Sequence, residues 1–287
     1  LGVSGTIYQS SLSGLAGFFP GKYTSLYLSG TGFAGLVMNA LRSIAILGFE
    51  RDGVTPDAAT QFNEIIFYFS VASLIMISCA VIHTIFIKTP YYKLNAGVNN
   101  GEKDAEVGLA LDQVSEGGSL VAQESESGIK TMVSVFMEVK KFVLGLVFLY
   151  TVNFVFYPGI MLKRKVDISG AWKLVTMTGT FNVFDIVGKS FGQHRKSYTP
   201  NSVMALNFAR IIFFATFILP VVADIPILNT VLFAYFNIAV FALTNGFITT
   251  ALFIMSPENV TGKKKEIAGF LSTVGLTTGI MLGTFLA

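Results

Sequence analysis

Charge is scarce in this sequence. Asp, Glu, Lys and Arg make up 13% of its 287 residues, where a soluble domain would carry roughly twice that share. Cysteine occurs once, as Cys79 within an apolar run, which excludes an internal disulfide and leaves a small packing residue. Histidine occurs twice; His83 and His194 have no cysteine or carboxylate partners at ligand spacing, so no metal site and no cofactor is expected. Basic residues form no patch interleaved with aromatics, so the net charge of +3 points to no nucleic acid. The chain starts on Leu1 inside an apolar run, without the basic flank and cleavage site of a signal peptide. The expectation is that the numbering begins inside a longer protein.

Apolar residues are what the chain has in quantity, at 52% of positions with mean hydropathy +0.64. Residues 1–21, 23–41, 65–87, 142–162, 225–257 and 267–287 are uncharged runs, each near the roughly 20 residues that cross a bilayer as a helix. Together with the breakers they predict an all-α, polytopic membrane protein of about eight spans. The spans fall near 1–19, 23–48, 64–88, 140–162, 171–191, 200–222, 226–255 and 266–287. Most prolines sit at junctions, but Pro158 and Pro220 lie inside spans and are expected to kink them.

Between Lys93 and Lys130 the sequence holds seven acids, three lysines and many Gly, Ser and Asn residues, a composition that predicts a flexible loop. The amphipathic IKTMVSVFMEVKK that follows is expected to lie on the membrane surface. The chain thus divides into three spans (1–88), a loop (89–137) and five spans (138–287). Twelve Lys and Arg residues fall on the loop's side and five on the other, which makes the loop cytoplasmic. On that topology the sequon Asn259-Val260-Thr261 is cytoplasmic and unused.

Two motifs mislead. Gly30-Thr31-Gly32-Phe33-Ala34-Gly35 fits the dinucleotide fingerprint GxGxxG, but lies within an apolar helix instead of after a strand. Small residues that let helices approach are the better explanation, as for Gly14 and Gly17 and for Gly275, Gly279 and Gly283. Gly188-Lys189-Ser190 resembles the end of a P-loop, yet the required earlier glycine is Val183. No Ser, His and acid set with an elbow motif appears, and nothing here predicts an enzyme.

Polar residues inside the spans are more informative. Thr178, Asn182, Asp185, Lys189 and Gly192 follow steps of four and three and share one helix face. A charge at mid-membrane costs at least roughly 2.5–3.5 kcal/mol, so that face lines a cavity or meets a partner. Asp185 and Lys189 could also simply neutralise each other one turn apart. Arg210, central in the next span, is a second candidate counter-ion for Asp185. The first span carries a matching stripe of Thr6, Gln9, Ser13 and Ala16 or Gly17, in which Gln9 can read the edge of a heterocyclic base or join two helices. Asn153, Asn237 and Asn245 add amides within other spans.

Four stretches give the chain a family likeness: GTIYQSSLSGLAGFFPGKYTSLYLSGTGFAG, FNVFDIVGK, NFARIIFFATFILP, and FALTNGFITTALFIMSPENV running into EIAGFLSTVGLTTGIMLG. The sequence resembles the equilibrative nucleoside transporters. That resemblance implies a major-facilitator-like fold of two helix bundles, with these spans as the fourth to eleventh of eleven. Residues 1–88 would then close the first bundle, and 138–287 would form the second. It implies facilitated, alternating-access movement of nucleosides, and sometimes nucleobases, most plausibly across the plasma membrane, with proton coupling left open. By position it assigns Gln9 to the nucleobase, and Asp185 and Lys189 to the ribose hydroxyls, with Ser13, Asn182, Arg210 and Asn245 nearby. Lys189 departs from the family's arginine, keeping the charge and losing the planar fork. The competing readings are another two-bundle carrier, for a sugar or an organic cation, and a truncated chain without transport of its own.

Overall fold

The computed structural model of the chain describes residues 2–49, 58–86, 88–89, 120–166, 168, 170–223, 225–262 and 264–287. All regular structure among them is helical. In chain order the helices are α1 (Gly2–Phe18), α2 (Gly21–Phe49), α3 (Ala58–Phe86), α4 (Leu120–Val155), α5 (Gly170–Gly192), α6 (Pro200–Ala209), α7 (Ile212–Val222), α8 (Val231–Glu258) and α9 (Lys264–Leu286). Residues 21–48, 65–86, 200–222, 231–258 and 264–286 are long and apolar enough to cross a membrane. The remaining predicted spans are helical too. Their departures from that standard are physical: α1 has 17 residues, α4 carries Glu138, Lys140 and Lys141 close to its apolar part, and α5 holds Lys173, Asp185 and Lys189. The protein is an integral membrane protein.

The chain forms two compact units, residues 1–43 with 134–287, and residues 44–133. Within the second, α3 turns large apolar side chains such as Leu74, Met76 and Ile82 outward, and Cys79 is exposed and free. The first unit holds every candidate site residue.

Three sequence expectations change in this structure. Helix α4 begins at Leu120 and runs unbroken to Val155, so the amphipathic stretch is continuous with the helix of the fourth predicted span. The reason is register: buried Val135, Val139, Phe142, Leu146 and Leu149 follow steps of four and three straight through the expected boundary. Most of the expected loop, 93–119, lies outside the described residues. The span at 200–222 is two helices, and its break falls at Arg210, not at Pro220. Around Arg210 the backbone tightens into bonds three residues apart, Arg210 N–H to Asn207 O and Phe213 N–H to Arg210 O. At Pro220 the helix continues because the Thr216 carbonyl, which proline cannot serve, accepts from Asn237 Nδ2 at 3.4 Å. Pro158 does sit at a break, with Tyr157 extended at φ −109°, ψ 130°.

Helix starts follow the local sequence. Thr199 caps α6 reciprocally with Ser202 ahead of Pro200 at the first helical position, and Thr230 accepts from Phe233 N–H at the start of α8.

Glycines set the helix spacing. A β-carbon on Gly275, Gly279 or Gly283 of α9 would stand 2.8, 2.6 and 2.6 Å from the carbonyl oxygens of Val143, Val147 and Thr151 on α4. Both helices advance by four, so backbone rests on backbone along three turns. Gly17 meets the Lys265 carbonyl in the same way, and Gly269 meets that of Ser13, which seats α1 on α9. The tightest junction joins α5 to α8: a β-carbon on Gly188 would collide with the Leu243 carbonyl, and one on Gly246 with that of Asp185.

Candidate functional site

The close approach at Gly188 and Gly246 fixes the polar face of α5 against α8 and so sets the geometry of its charges. Asp185 and Lys189 form an ion pair of 2.7 Å, with the residues 5% and 4% exposed. The second Asp185 oxygen, Oδ1, accepts from Asn245 Nδ2 of α8 at 2.8 Å. Lys189 Nζ also donates to Thr31 Oγ1 of α2 at 3.1 Å. A buried pair of this kind adds little net stability, but removing one partner alone costs about 3–5 kcal/mol. The sequence expectation that Asp185 needs a partner is met by Lys189 and Asn245 together.

Helix α2 runs along the polar face of α5. Ser25 donates to the Lys189 carbonyl at 3.4 Å, Thr31 accepts from Lys189, and Thr178 donates to Asn39 Oδ1 at 2.8 Å. Between these bonds, Gly32 and Gly35 leave room: a β-carbon on Gly32 would lie 2.7 Å from Ile186 and 3.4 Å from both Asp185 Oδ2 and Lys189 Nζ. One on Gly35 would lie 2.7 Å from the Asn182 amide oxygen. Gly30 meets nothing within 4 Å. The GxGxxG pattern therefore has its structural reason in the last two glycines, which let α2 cover the stripe Thr178, Asn182, Asp185 and Lys189.

Arg210 stands beside this group. It is 1% exposed, its Nη1 donates to the Phe241 carbonyl at 2.8 Å and to Thr244 Oγ1, and its guanidinium lies 4.3 Å from the Phe241 ring centre. Among the described residues Nε and Nη2 have no hydrogen-bond partner. The buried Thr249 of α8 donates to the Tyr150 hydroxyl of α4 at 3.3 Å. On the same side, Tyr157 stacks on Phe181 with ring centres 4.1 Å apart, and Phe181, Phe241, Phe213 and Phe217 continue the aromatic wall.

Gln9 and Ser13 occupy another part of the unit, on α1. Ser13 donates to the Tyr27 hydroxyl at 3.4 Å, and that hydroxyl donates to the Gln9 backbone carbonyl at 3.4 Å. Among the described residues no hydrogen bond or ion pair joins Gln9 or Ser13 to Asp185. The structure thus brings together Asp185, Lys189 and Asn245, sets Asn182 on the same face, and anchors Arg210 to Phe241, one turn before Asn245 on α8. Of the other amides, Asn237 serves the Thr216 carbonyl at 3.4 Å, and Asn153 is buried with no partner for its oxygen among the described residues.

Sequence reasoning did not single out Tyr27, Thr31, Asn39, Tyr150 or Tyr157. Thr31 and Asn39 were legible in principle. They share with Ser25, Gly32 and Gly35 a face of small and polar residues on an otherwise apolar helix.

A family model described as Nucleoside transporter matches residues 1–287. The chain belongs to the nucleoside transporter family. Within this transporter family it is 25% identical over 295 residues to Equilibrative nucleotide transporter 1 of Arabidopsis thaliana, covering 100% of this chain and 60% of that relative. It is 25% identical over 309 residues to Equilibrative nucleoside transporter 1 of Homo sapiens, covering 97% of this chain and 64% of that relative. The Rattus norvegicus Equilibrative nucleoside transporter 1 is 26% identical over 314 residues, covering 99% and 65%. The transporter chain therefore spans 60–65% of the length of these curated relatives.

Proposed function

We propose that this chain is the substrate-binding portion of a nucleoside carrier of the plasma membrane that works by alternating access and facilitated diffusion. One observation supports the reading above the rest: a carboxylate and an ammonium, paired and buried on a membrane helix, whose two charged ends are the complement of a ribose diol. Vicinal hydroxyls donate to the carboxylate and accept from the ammonium, so substrate can replace the pair's mutual contact without leaving either ion bare. Gln9 would read the nucleobase, Ser13, Asn182 and Asn245 would complete the surround, and Arg210 would stand next to it on Phe241 and Thr244. We take residues 1–88 as the end of a first bundle, 90–119 as a cytoplasmic loop, and the chain from α4 onward, 120–287, as the second bundle.

With α2 against α5 the pair is covered, so loading requires that seam to part. Its single hydrogen bonds and glycine contacts suit a joint that opens and closes.

The test is uptake by the protein expressed from its complete reading frame. Asp185→Asn is expected to abolish saturable uridine or adenosine uptake while surface expression persists; unchanged uptake refutes the assignment. A panel settles substrate class, since a nucleoside carrier is inhibited by nucleosides and not by hexoses or organic cations. Dependence of uptake on external pH at clamped potential decides whether protons are coupled.

A further inference from the structure

Arg210 is the charged group that the site reading leaves without a specific task. It lies at the break in the 200–222 span, fully buried, with one nitrogen anchored and two, Nε and Nη2, sealed from solvent without an acceptor among the described residues. A buried guanidinium normally has its donors satisfied, because each unmade bond leaves the cost of desolvation uncompensated. Such a group calls for an explanation, and an acceptor that reaches it in another state supplies one.

Geometry identifies that acceptor. The anchor of Arg210 is the Phe241 carbonyl with Thr244 Oγ1, and Asn245, one turn on from Phe241, holds Asp185 Oδ1 at 2.8 Å. The rings of Phe181, one turn before Asp185 on α5, and of Phe241 are 6.1 Å apart, so the turn of α8 that anchors Arg210 packs next to the turn of α5 that carries Asp185. In this structure both Asp185 oxygens are taken, one by Asn245 and the other by Lys189, whose position depends on Thr31 of α2. When α2 leaves α5, Lys189 loses that hold.

We propose that Arg210 is the alternate partner of Asp185, engaged when the empty carrier reorients. This rests on the nucleoside-carrier reading. In the loaded carrier the substrate hydroxyls occupy Asp185 throughout the passage. In the empty carrier Asp185 passes from Lys189 to the free nitrogens of Arg210, and the break at Arg210–Ile211 supplies the movement. Arg210 is thus a positioning residue for the return step, not a group that binds substrate.

The experiment compares two fluxes of labelled uridine in proteoliposomes carrying the protein expressed from its complete reading frame. Zero-trans uptake requires the empty carrier to return, whereas equilibrium exchange shuttles only the loaded form. Arg210→Gln is expected to lower zero-trans Vmax about tenfold while exchange Vmax stays within about twofold of wild type, the split of a state-specific coupling. Arg210→Lys, which keeps the charge, is expected to recover part of the zero-trans flux. Equal loss of both fluxes, or no change in their ratio, overturns the proposal. If Arg210→Gln yields no monodisperse protein, the ratio measured with Arg210→Lys decides by the same criterion. Failure of the wild type to exchange uridine refutes the nucleoside reading instead, so the two failures are distinct.

Discussion

Replacing Gly246 by alanine tests whether helix spacing controls the site. A β-carbon there would lie 2.8 Å from the Lys189 amide nitrogen and 2.9 Å from the Asp185 carbonyl carbon, and would collide with the Asp185 carbonyl oxygen. All three obstacles are backbone, so no side chain can turn away. Ordinary contact begins near 3.4 Å, which obliges α8 and α5 to part by at least about 0.6 Å at this turn. The neighbouring Asn245–Asp185 bond, 2.8 Å long, is stretched toward the limit of a hydrogen bond. Overpacking of this kind costs about 1–3 kcal/mol, and the better helix propensity of alanine returns only about 1 kcal/mol. Loss of a charge-assisted bond costs about 1.5–3 kcal/mol, which corresponds to roughly ten- to hundredfold in substrate affinity. Thermal unfolding in detergent and the KM of nucleoside uptake read the two effects. Gly128→Ala, at an exposed position with nothing within 4 Å, is the control and is expected to change neither. Wild-type KM and stability in Gly246→Ala would refute the argument that the glycine pair aligns Asp185.

Thr31→Val keeps the shape of the side chain and removes the acceptor 3.1 Å from Lys189 Nζ; KM is expected to rise several-fold with little change in melting temperature, in line with about 1 kcal/mol for one lost bond. Gly279→Leu drives a side chain into the Val147 carbonyl and Tyr150 Cβ, at 2.6 and 2.8 Å from the first added carbon, and is expected to prevent recovery of folded protein in fluorescence-detected size exclusion. Unimpaired recovery would show that the contact between α4 and α9 is dispensable.

The sequence made the helical membrane architecture legible because long uncharged runs leave no other solution in lipid. The α5 stripe was legible for the complementary reason: steps of four and three place Asp185, Lys189 and Asn182 together whatever surrounds them. What surrounds them was not. Asn245 reaches Asp185 across 60 positions and Thr31 reaches Lys189 across 158, and no periodicity within one helix encodes such a pairing. The break at Arg210 was also hidden, since Pro220 gave the stronger local signal. It was neutralised by Asn237, an amide on another helix. Glycine spacing was readable as a propensity for close approach, but the identity of the facing helix, α4 for Gly275, Gly279 and Gly283, emerged only with the fold.

The glycine ladder of α9 on α4 and the hydroxyl-and-amide seam of α2 on α5 are two kinds of fastening. Along the ladder the main chains touch at three successive turns, and separation would open a void that nothing in lipid fills. Along the seam each bond is made by a side chain whose partner, once lost, can be replaced by water or by a solute hydroxyl. Stiffness and compliance are thereby distributed by residue type: glycine facing backbone makes a weld, and serine, threonine and asparagine make a zip.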